Sequence, residues 1–272
     1  MTAPARRWAE ALAQWAIPPE ILDHAPETPW GCPTGLFVRS AEEAVAPDAA
    51  RSPTARRALE ALPDGGSVLD VGAGGGAASL PLAPPAARIT AVDQSAGMLV
   101  AFAALAGRRG VDHVEVQGRW PDAAPQVELA DVVVCAHVFY NVADLEPFVA
   151  ALTAKARRRV VTELTAVHPQ ESLNPLWRRF HGLERPIYPT ADDALAVVTA
   201  MGLDAGVERW EAPGRWESAP REELVTFARR RLCLPPERDP EVAEALDEVF
   251  LLGPRSLVTL WWDVSGDRPG TP

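Results

Sequence analysis

An apolar run that breaks at once into glycines, "VLDVGAGGGAASL" from Val68 to Leu80, is the feature that most constrains this chain. Glycine reaches backbone conformations that other residues avoid and lets a ligand come close to the chain. A strand followed by such a turn belongs in a parallel α/β sheet, where ligands bind outside the carboxyl ends of the strands. The rest of the chain keeps the alternation. "ARITAVD", "HVEVQG", "ADVVVCA" and "RRVVTEL" read as strands two to five, with helices capped by Ser95 and Asp144 between them. A helix opened by Ser52 and Pro53 precedes the first strand, and a short helix broken by Pro84 and Pro85 follows the turn. Beyond these, "TADDALAVVTAMG" reads as a helix capped by Thr190 and "LDAGVERWEA" as a sixth strand. "REELVTFARRRLCL" and "DPEVAEALDEVFLLG" read as helices, and the alternating "RSLVTLWWDV" as a last strand. This order predicts a doubly wound α/β sheet.

The length of 272 residues suits one large domain with additions, and the formal net charge of -11 opposes a phosphate backbone. No nucleic-acid partner is expected. The basic runs "ARRR" at 156–159 and "RRR" at 229–231 are short and read as helix ends, where cations are favoured. Cys32, Cys135 and Cys233 lie far apart without a CxxC spacing, so neither a disulfide scaffold nor a zinc site is expected, and no metal. No run approaches the ~18 apolar residues of a membrane helix, and the first residues lack the apolar stretch of a signal peptide. A soluble cytoplasmic protein is the expectation; the sequence does not set its oligomeric state.

Two ligand classes use a turn of this kind. Gly72, Gly74 and Ala77 meet the dinucleotide spacing, and Asp93 at the end of the second strand can accept ribose hydroxyls in either case. Asp70 separates the two. Two residues before Gly72, it would place a fixed negative charge beside a pyrophosphate, at a cost that grows as water is excluded. A cofactor with an ammonium and a sulfonium is favoured by the same charge. Asp70 also has a purely local reading, as an acceptor for the turn's own amides, which is compatible with cofactor binding.

The segments "VLDVGAGGGAASLPLA", "ITAVDQSAGMLVAFA", "VEVQGRW" and "ADVVVCAHVFYNVADLEPFVAAL" resemble the class I S-adenosylmethionine-dependent methyltransferases, in order and spacing, over about residues 52–165. The resemblance implies a Rossmann-like sheet of seven strands in the order 3-2-1-4-5-7-6, the last antiparallel. It implies S-adenosylmethionine as cofactor and S-adenosylhomocysteine as product. Asp70, Gly72, Ala73 and Gly74 would hold the amino-acid end, Asp93 the ribose hydroxyls, and Gln94 and Met98 the ribose and adenine. His137, just past strand four, would lie near the methyl group. Many relatives carry an acid after strand three; here Arg119 stands there, which shifts the expected adenine contact to the backbone of Gly118, with Trp120 packed on the ring.

The topology implied by the resemblance sends the additions to the ligand edge. Residues 1–50 read as a helical cover on a methyltransferase domain of 51–272, with rim insertions at about 165–189 and 212–254. Trp8, Trp15, Trp30, Trp177 and Trp216 lie in these additions. An aromatic enclosure suits a small or medium-sized, partly apolar acceptor; the spacing of Trp8, Leu12 and Trp15 fits equally a helix anchored to the domain. Trp30, His168, Trp177, Arg178, His181 and Tyr188 are the candidate substrate contacts, and Arg178 and Arg179 also read as a solvated helix face. His137 is the first candidate base and is equally a positioning contact; Glu163 is a second candidate base, and Tyr140 a group that orients substrate. Two other functions stand beside methyl transfer: a non-catalytic cofactor-binding or assembly module of the same fold, and a nicotinamide-dependent oxidoreductase. Asp70 and the absence of a Tyr-x-x-x-Lys pair weigh against the second.

Overall fold

The computed structural model describes residues 1–30, 34–46, 51–214, 219–247 and 254–264. Among them, seven strands form one sheet in the order β3-β2-β1-β4-β5-β7-β6. The strands are β1 (Gly66–Val71), β2 (Ala86–Asp93), β3 (Asp112–Gln117), β4 (Ala130–Ala136), β5 (Ala156–Thr165), β6 (Gly206–Ala212) and β7 (Arg255–Asp263). The first five pair in parallel, and β7 runs antiparallel to both β5 and β6. The carboxyl ends of β1, β2, β4 and β5 therefore share one edge with the start of β7.

Helices cover both faces. On one face lie α1 (Ala3–Ala13), α6 (Leu145–Lys155) and α8 (Ala191–Ala200), packed over Leu69, Val133 and Val160 through Trp8, Phe148 and Val197. On the other lie α3 (Thr34–Ala44), α4 (Pro53–Ala61) and α5 (Ala96–Arg108), packed over Val68, Ile89 and Val132 through Ala41, Ala58 and Phe102. A third apolar cluster stands apart from the sheet. It joins Ile17 to α7 (Asn174–His181), α9 (Arg221–Arg231) and α10 (Asp239–Leu246) through Trp177, Leu176, Leu232 and Val242, with Ile21 and Leu22 of the short α2 (Pro19–Leu22) packed against it.

Local signals set most helix starts. Ser52 caps α4 by accepting from the Ala55 amide, Ser95 caps α5 by accepting from the Met98 amide, and Thr190 and Asp193 form a capping box on α8. Three expectations are corrected. Asp144 sits at the N-cap position of α6 without a side-chain capping bond. The helix expected after the glycine turn is only the 3-10 turn Leu80–Leu82, because Pro84 and Pro85 leave no room to extend it. The "ARRR" run opens β5 rather than ending a helix, and Arg159 there pairs with Glu60 and Asp263.

Trp8 ties the N-terminal helix to the domain. It is fully buried, stacks on Tyr140 with ring centroids 5.5 Å apart, and donates its indole N–H to the Val142 carbonyl at 2.8 Å. Trp8→Ala should lower stability by about 3–5 kcal/mol, the usual cost of deleting a buried indole. Urea unfolding would show it, and a change below about 1 kcal/mol would mean that α1 is not part of the cooperative core.

Candidate active site

The glycine turn is built by backbone need. Gly72, Gly74 and Gly76 have φ of 74°, 51° and 93°, values that side chains resist. A Cβ at Gly72 would also lie 2.3 Å from a methyl of Val138, so the turn and the segment after β4 approach too closely for any side chain. Next to it, α3 lies against the turn: a Cβ on Gly75 would meet Ala41 and the Phe37 carbonyl at 3.1 Å.

Two carboxylates flank the turn in different ways. Asp93 accepts from the Gly74 amide at 2.9 Å and from the Ser95 amide at 2.8 Å, so it joins the loop after β1 to the start of α5. Asp70 is buried. Its Oδ2 accepts from the Ser79 hydroxyl at 2.6 Å, while its Oδ1 has no hydrogen-bond partner among the described residues. Burial raises the Asp70 carboxyl to about 7; the Ser79 bond pulls against that rise and the charge of Asp93 adds to it. A cationic group beside Oδ1 relieves both the burial and the repulsion, which is the chemistry of an ammonium or sulfonium ligand. Burial also raises the Cys135 thiol, with the Asp70 charge contributing.

Beyond β4, His137 has φ of 59°, a conformation rare for a side chain other than glycine. It is held there twice over. Its amide donates to the Glu163 carbonyl at 2.7 Å, and its Nε2 lies 3.0 Å from Glu163 Oε1. The two candidate bases are thus one pair. Glu163 in turn accepts from the Thr54 hydroxyl at 2.5 Å. Burial works against its charge, but the His137 bond and charge, the Thr54 bond and the charge of Arg255 outweigh it and hold it below the usual carboxylate range. Outlying backbone conformations kept in place by several bonds concentrate at functional sites.

The other expected site residues divide by location. Gln94 is exposed beside the turn, and its carbonyl accepts from Gln117 at 3.3 Å; Met98 is half-buried in the first turn of α5. The Gly118 amide donates to the Asp93 carbonyl at 3.0 Å, and Arg119 is exposed. Trp120 lies in the main core with its indole N–H on the Phe148 carbonyl, a packing role in place of the expected ring face for adenine. Tyr140 is also a core side chain: its hydroxyl donates to the Thr165 carbonyl at 2.8 Å, and burial raises it well above the usual phenol range. Trp177 belongs to the third cluster, and His181 donates from Nε2 to the Leu232 carbonyl at 2.7 Å. Arg178 is exposed and paired with Glu184. His168 is buried, stacked on Trp15 at 3.7 Å and edge-on to Tyr140 at 5.2 Å; burial, with the charge of Arg185, lowers it to about 3. Trp30 and Tyr188 are exposed. Trp216 and Cys32 lie outside the described residues.

Sequence reading missed Ser79, Thr54, Thr259 and Arg255. A hydroxyl nine residues downstream or an arginine on another strand carries no pattern of its own; only the fold brings it to a carboxylate. Among the described residues no cluster of three or more His, Cys, Asp or Glu side chains could hold a metal, and no helix is long and apolar enough to cross a membrane.

A family model described as a methyltransferase domain matches residues 69–159, which hold the glycine turn, Asp93 and His137. An uncharacterized protein of Haemophilus influenzae is 28% identical over 207 residues, 73% of this chain and 76% of that protein. The YcgJ protein of Bacillus subtilis has the same fold at a TM-score of 0.53, with 17% identity over 80% of this chain and 99% of its own. Coclaurine N-methyltransferase, solved with N-methylheliamine and S-adenosylhomocysteine, gives 0.52, with 14% identity over 96% of this chain and 87% of its own. Residues 69–159 thus match a methyltransferase domain, within a sheet of the order seen in the methyltransferase fold. The domain match supports a methyltransferase that uses S-adenosylmethionine, against the nicotinamide reading.

Asp70 makes a pH test possible. With its carboxyl raised to about 7 in the fold, the native state keeps a proton that the unfolded chain has already released above about 4. Its contribution to stability therefore falls as pH rises between those values. Asp70→Asn lacks that slope, so without cofactor the variant should gain stability relative to wild type by a few kcal/mol between about pH 4.5 and pH 7.5. Urea unfolding at the two pH values measures the difference; parallel behaviour would place Asp70 in a more polar setting.

Proposed function

We propose that the chain methylates a small or medium-sized, partly apolar acceptor, with His137 receiving the acceptor's proton. The observation that carries this reading is the His137–Glu163 contact of 3.0 Å at the carboxyl edge of β4 and β5. The cofactor brings an activated methyl group on a sulfonium, so the chain has to bind, align and exclude water. In this reading Asp70, with the turn of Gly72, Ala73 and Gly74, holds the cationic amino-acid end. Asp93 accepts the ribose hydroxyls with its remaining lone pairs. Gln94, Met98 and Gly118 border the ribose and adenine.

A hydroxyl or protonated amine cannot act as a nucleophile until its proton has a destination, and a neutral imidazole supplies one. Glu163 accepts from Nε2–H of His137 at 3.0 Å and holds the ring in place. The carboxylate then stabilises the imidazolium. The acceptor's class is supported by the additions around this edge. Val167, Ile187 and Tyr188 are exposed apolar side chains between β5 and α8, and Trp30 is another just before α3. The net charge of -11 suits a small molecule better than a polyanion.

Two experiments test the reading. Asp93→Ala should weaken S-adenosylhomocysteine binding by about 1–3 kcal/mol in calorimetric titration, the value of lost charged hydrogen bonds; unchanged affinity would move the ribose elsewhere. Methyl-labelled cofactor offered with panels of phenols, alcohols, amines and thiols should label a hydroxyl or amine compound. His137→Ala should slow that transfer by roughly 10²-fold or more. Transfer only to protein or RNA would overturn the acceptor class, and transfer indifferent to His137 would overturn its role.

A further inference from the structure

Asp70 is enclosed more completely than a lone carboxylate can sustain. It is 1% exposed, and its partners across the sheet are Ala91 on β2 and Val134 on β4, both buried and apolar. Its Oδ2 meets one group, the Ser79 hydroxyl at 2.6 Å, and its Oδ1 meets none among the described residues. Ser79 is fully buried, so their bond is closed to water. A carboxylate in such a place needs a cation or more donors to stay charged. The surrounding charged groups do not supply the cation. Asp93, at the end of β2, adds negative charge, and burial keeps the Cys135 thiol of β4 neutral. Glu163, on the same face two strands away, is taken up by His137 and Thr54. The helices over this face bury Ala41, Ala58, Leu99 and Phe102 against it. Their arginines are engaged elsewhere: Arg39 by Glu223, Arg56 and Arg57 by Glu208, Arg108 by Glu42 and Arg109 by the Val45 carbonyl.

The one partner that Asp70 has can serve both of its forms. A serine hydroxyl donates to an ionised carboxylate and accepts from a neutral acid. Ser79 stands at the N-cap position of the 3-10 turn Leu80–Leu82 without capping it, so its side chain is given to Asp70 alone. A proton can therefore leave or join Asp70 while the bond to Ser79 persists. The glycine turn begins two residues after Asp70, and Gly72 and Gly74 put no side chain in the way. A cation seated on that turn acts on the carboxylate through a short path from which water is excluded. We propose that Asp70 and Ser79 form a proton-releasing pair: the ligand-free protein holds Asp70 as the neutral acid, and seating of the cofactor's cationic amino-acid end on the glycine turn expels that proton to solvent. The Asp70 O–H bond breaks, its electron pair stays on the carboxylate, the proton passes to the buffer, and the ligand's ammonium keeps its own protons. Ser79 is the positioning residue, since it holds Oδ2 in both states. The proposal rests on the reading that places the amino-acid end at this turn.

The electrostatics agree with the enclosure. Burial raises the Asp70 carboxyl to about 7, the Ser79 bond pulls it down and the Asp93 charge adds to the rise. Below that value, binding has to displace a proton, so affinity for the cofactor rises with pH, by nearly tenfold per unit where Asp70 starts fully protonated. Above it the carboxylate is already formed and affinity levels off. The site is thus tuned to bind best on the alkaline side of neutrality.

The test is the Asp70 carboxyl resonance in full-length protein labelled with ¹³C-aspartate, assigned by its loss in Asp70→Asn. In the ligand-free wild type it should titrate near pH 7 and stand at the neutral-acid position at about pH 6. Saturating S-adenosylhomocysteine at about pH 6 should move it to the carboxylate position. Calorimetry of the same binding, in buffers of different ionisation enthalpy, should show nearly one proton released per ligand at about pH 6 and almost none at about pH 8.5. Ser79→Ala should raise the midpoint of the free protein, and Ser79→Thr, which keeps the hydroxyl, should return it toward wild type. A packing role for Ser79 would not separate these two variants by titration. An Asp70 already ionised at about pH 6 without ligand would overturn the proposal, as would one that stays neutral with ligand bound. A midpoint unmoved in Ser79→Ala would remove Ser79 from the pair. Should that variant not fold, the wild-type resonance with and without ligand decides the proton release unaided. If Asp70 titrates near pH 7 but S-adenosylhomocysteine does not bind at any pH, the reading of the cofactor site falls and the proposal with it. Binding that leaves the carboxyl unchanged sinks the proposal alone.

Discussion

A carboxylate taken out of water must find donors or cations, and the ligand edge of this sheet holds three of them. They are compensated unequally. Asp93 has two backbone amides, and Glu163 has an imidazole, a hydroxyl and the charge of Arg255. Asp70 has one hydroxyl, from Ser79, and stays near 7 because burial exceeds what that bond returns. The inequality sorts their duties. Asp93 and Glu163 hold the framework of the edge together, and Asp70 is the carboxylate with the least compensation.

Most of the architecture can be followed outward from these three groups. Asp93 binds the glycine turn to the start of α5, which fixes how the ends of β1 and β2 meet. Glu163 binds the segment after β4 to α4, so a helix that precedes the first strand in the chain becomes a wall of the site. The close approach of Gly72 and Val138 joins the two halves. None of these contacts is large, but each crosses between elements remote in sequence, so a disturbance at one strand end reaches the others.

The additions are tied down by arginines. Arg229 is buried and bonds to Glu27 and Asp239, linking the N-terminal segment to α9 and α10. Arg185 lies over Trp15 and Trp177, 5.5 and 4.9 Å from their centroids, and donates to the Trp15 and Ala16 carbonyls. Aromatic side chains that look in sequence like a substrate enclosure thus divide in two. Trp8, Trp15 and Trp177 are buried structural anchors of the additions, and Trp30 and Tyr188 are exposed. Composition alone does not separate these, because an indole is equally suited to a helix interface and to a ligand.

What the sequence determined by itself is whatever short-range chemistry can dictate. Glycine conformations set the turn after β1, serine and threonine caps set the starts of α4, α5 and α8, and apolar runs set the central strands. The charge of Asp70 favours a cationic ligand over a pyrophosphate, because repulsion at such a distance needs no knowledge of the fold. The tertiary structure decided what depends on partners. It joined His137 and Glu163 into one pair, supplied Ser79, Thr54 and Thr259 as donors, and withdrew Trp120, Tyr140 and Trp177 into the cores. The physical reason is that a hydrogen bond or a buried face is a relation between two surfaces. Sequence spacing fixes such a relation within one helix or one strand, and only the packing of the sheet fixes it between them.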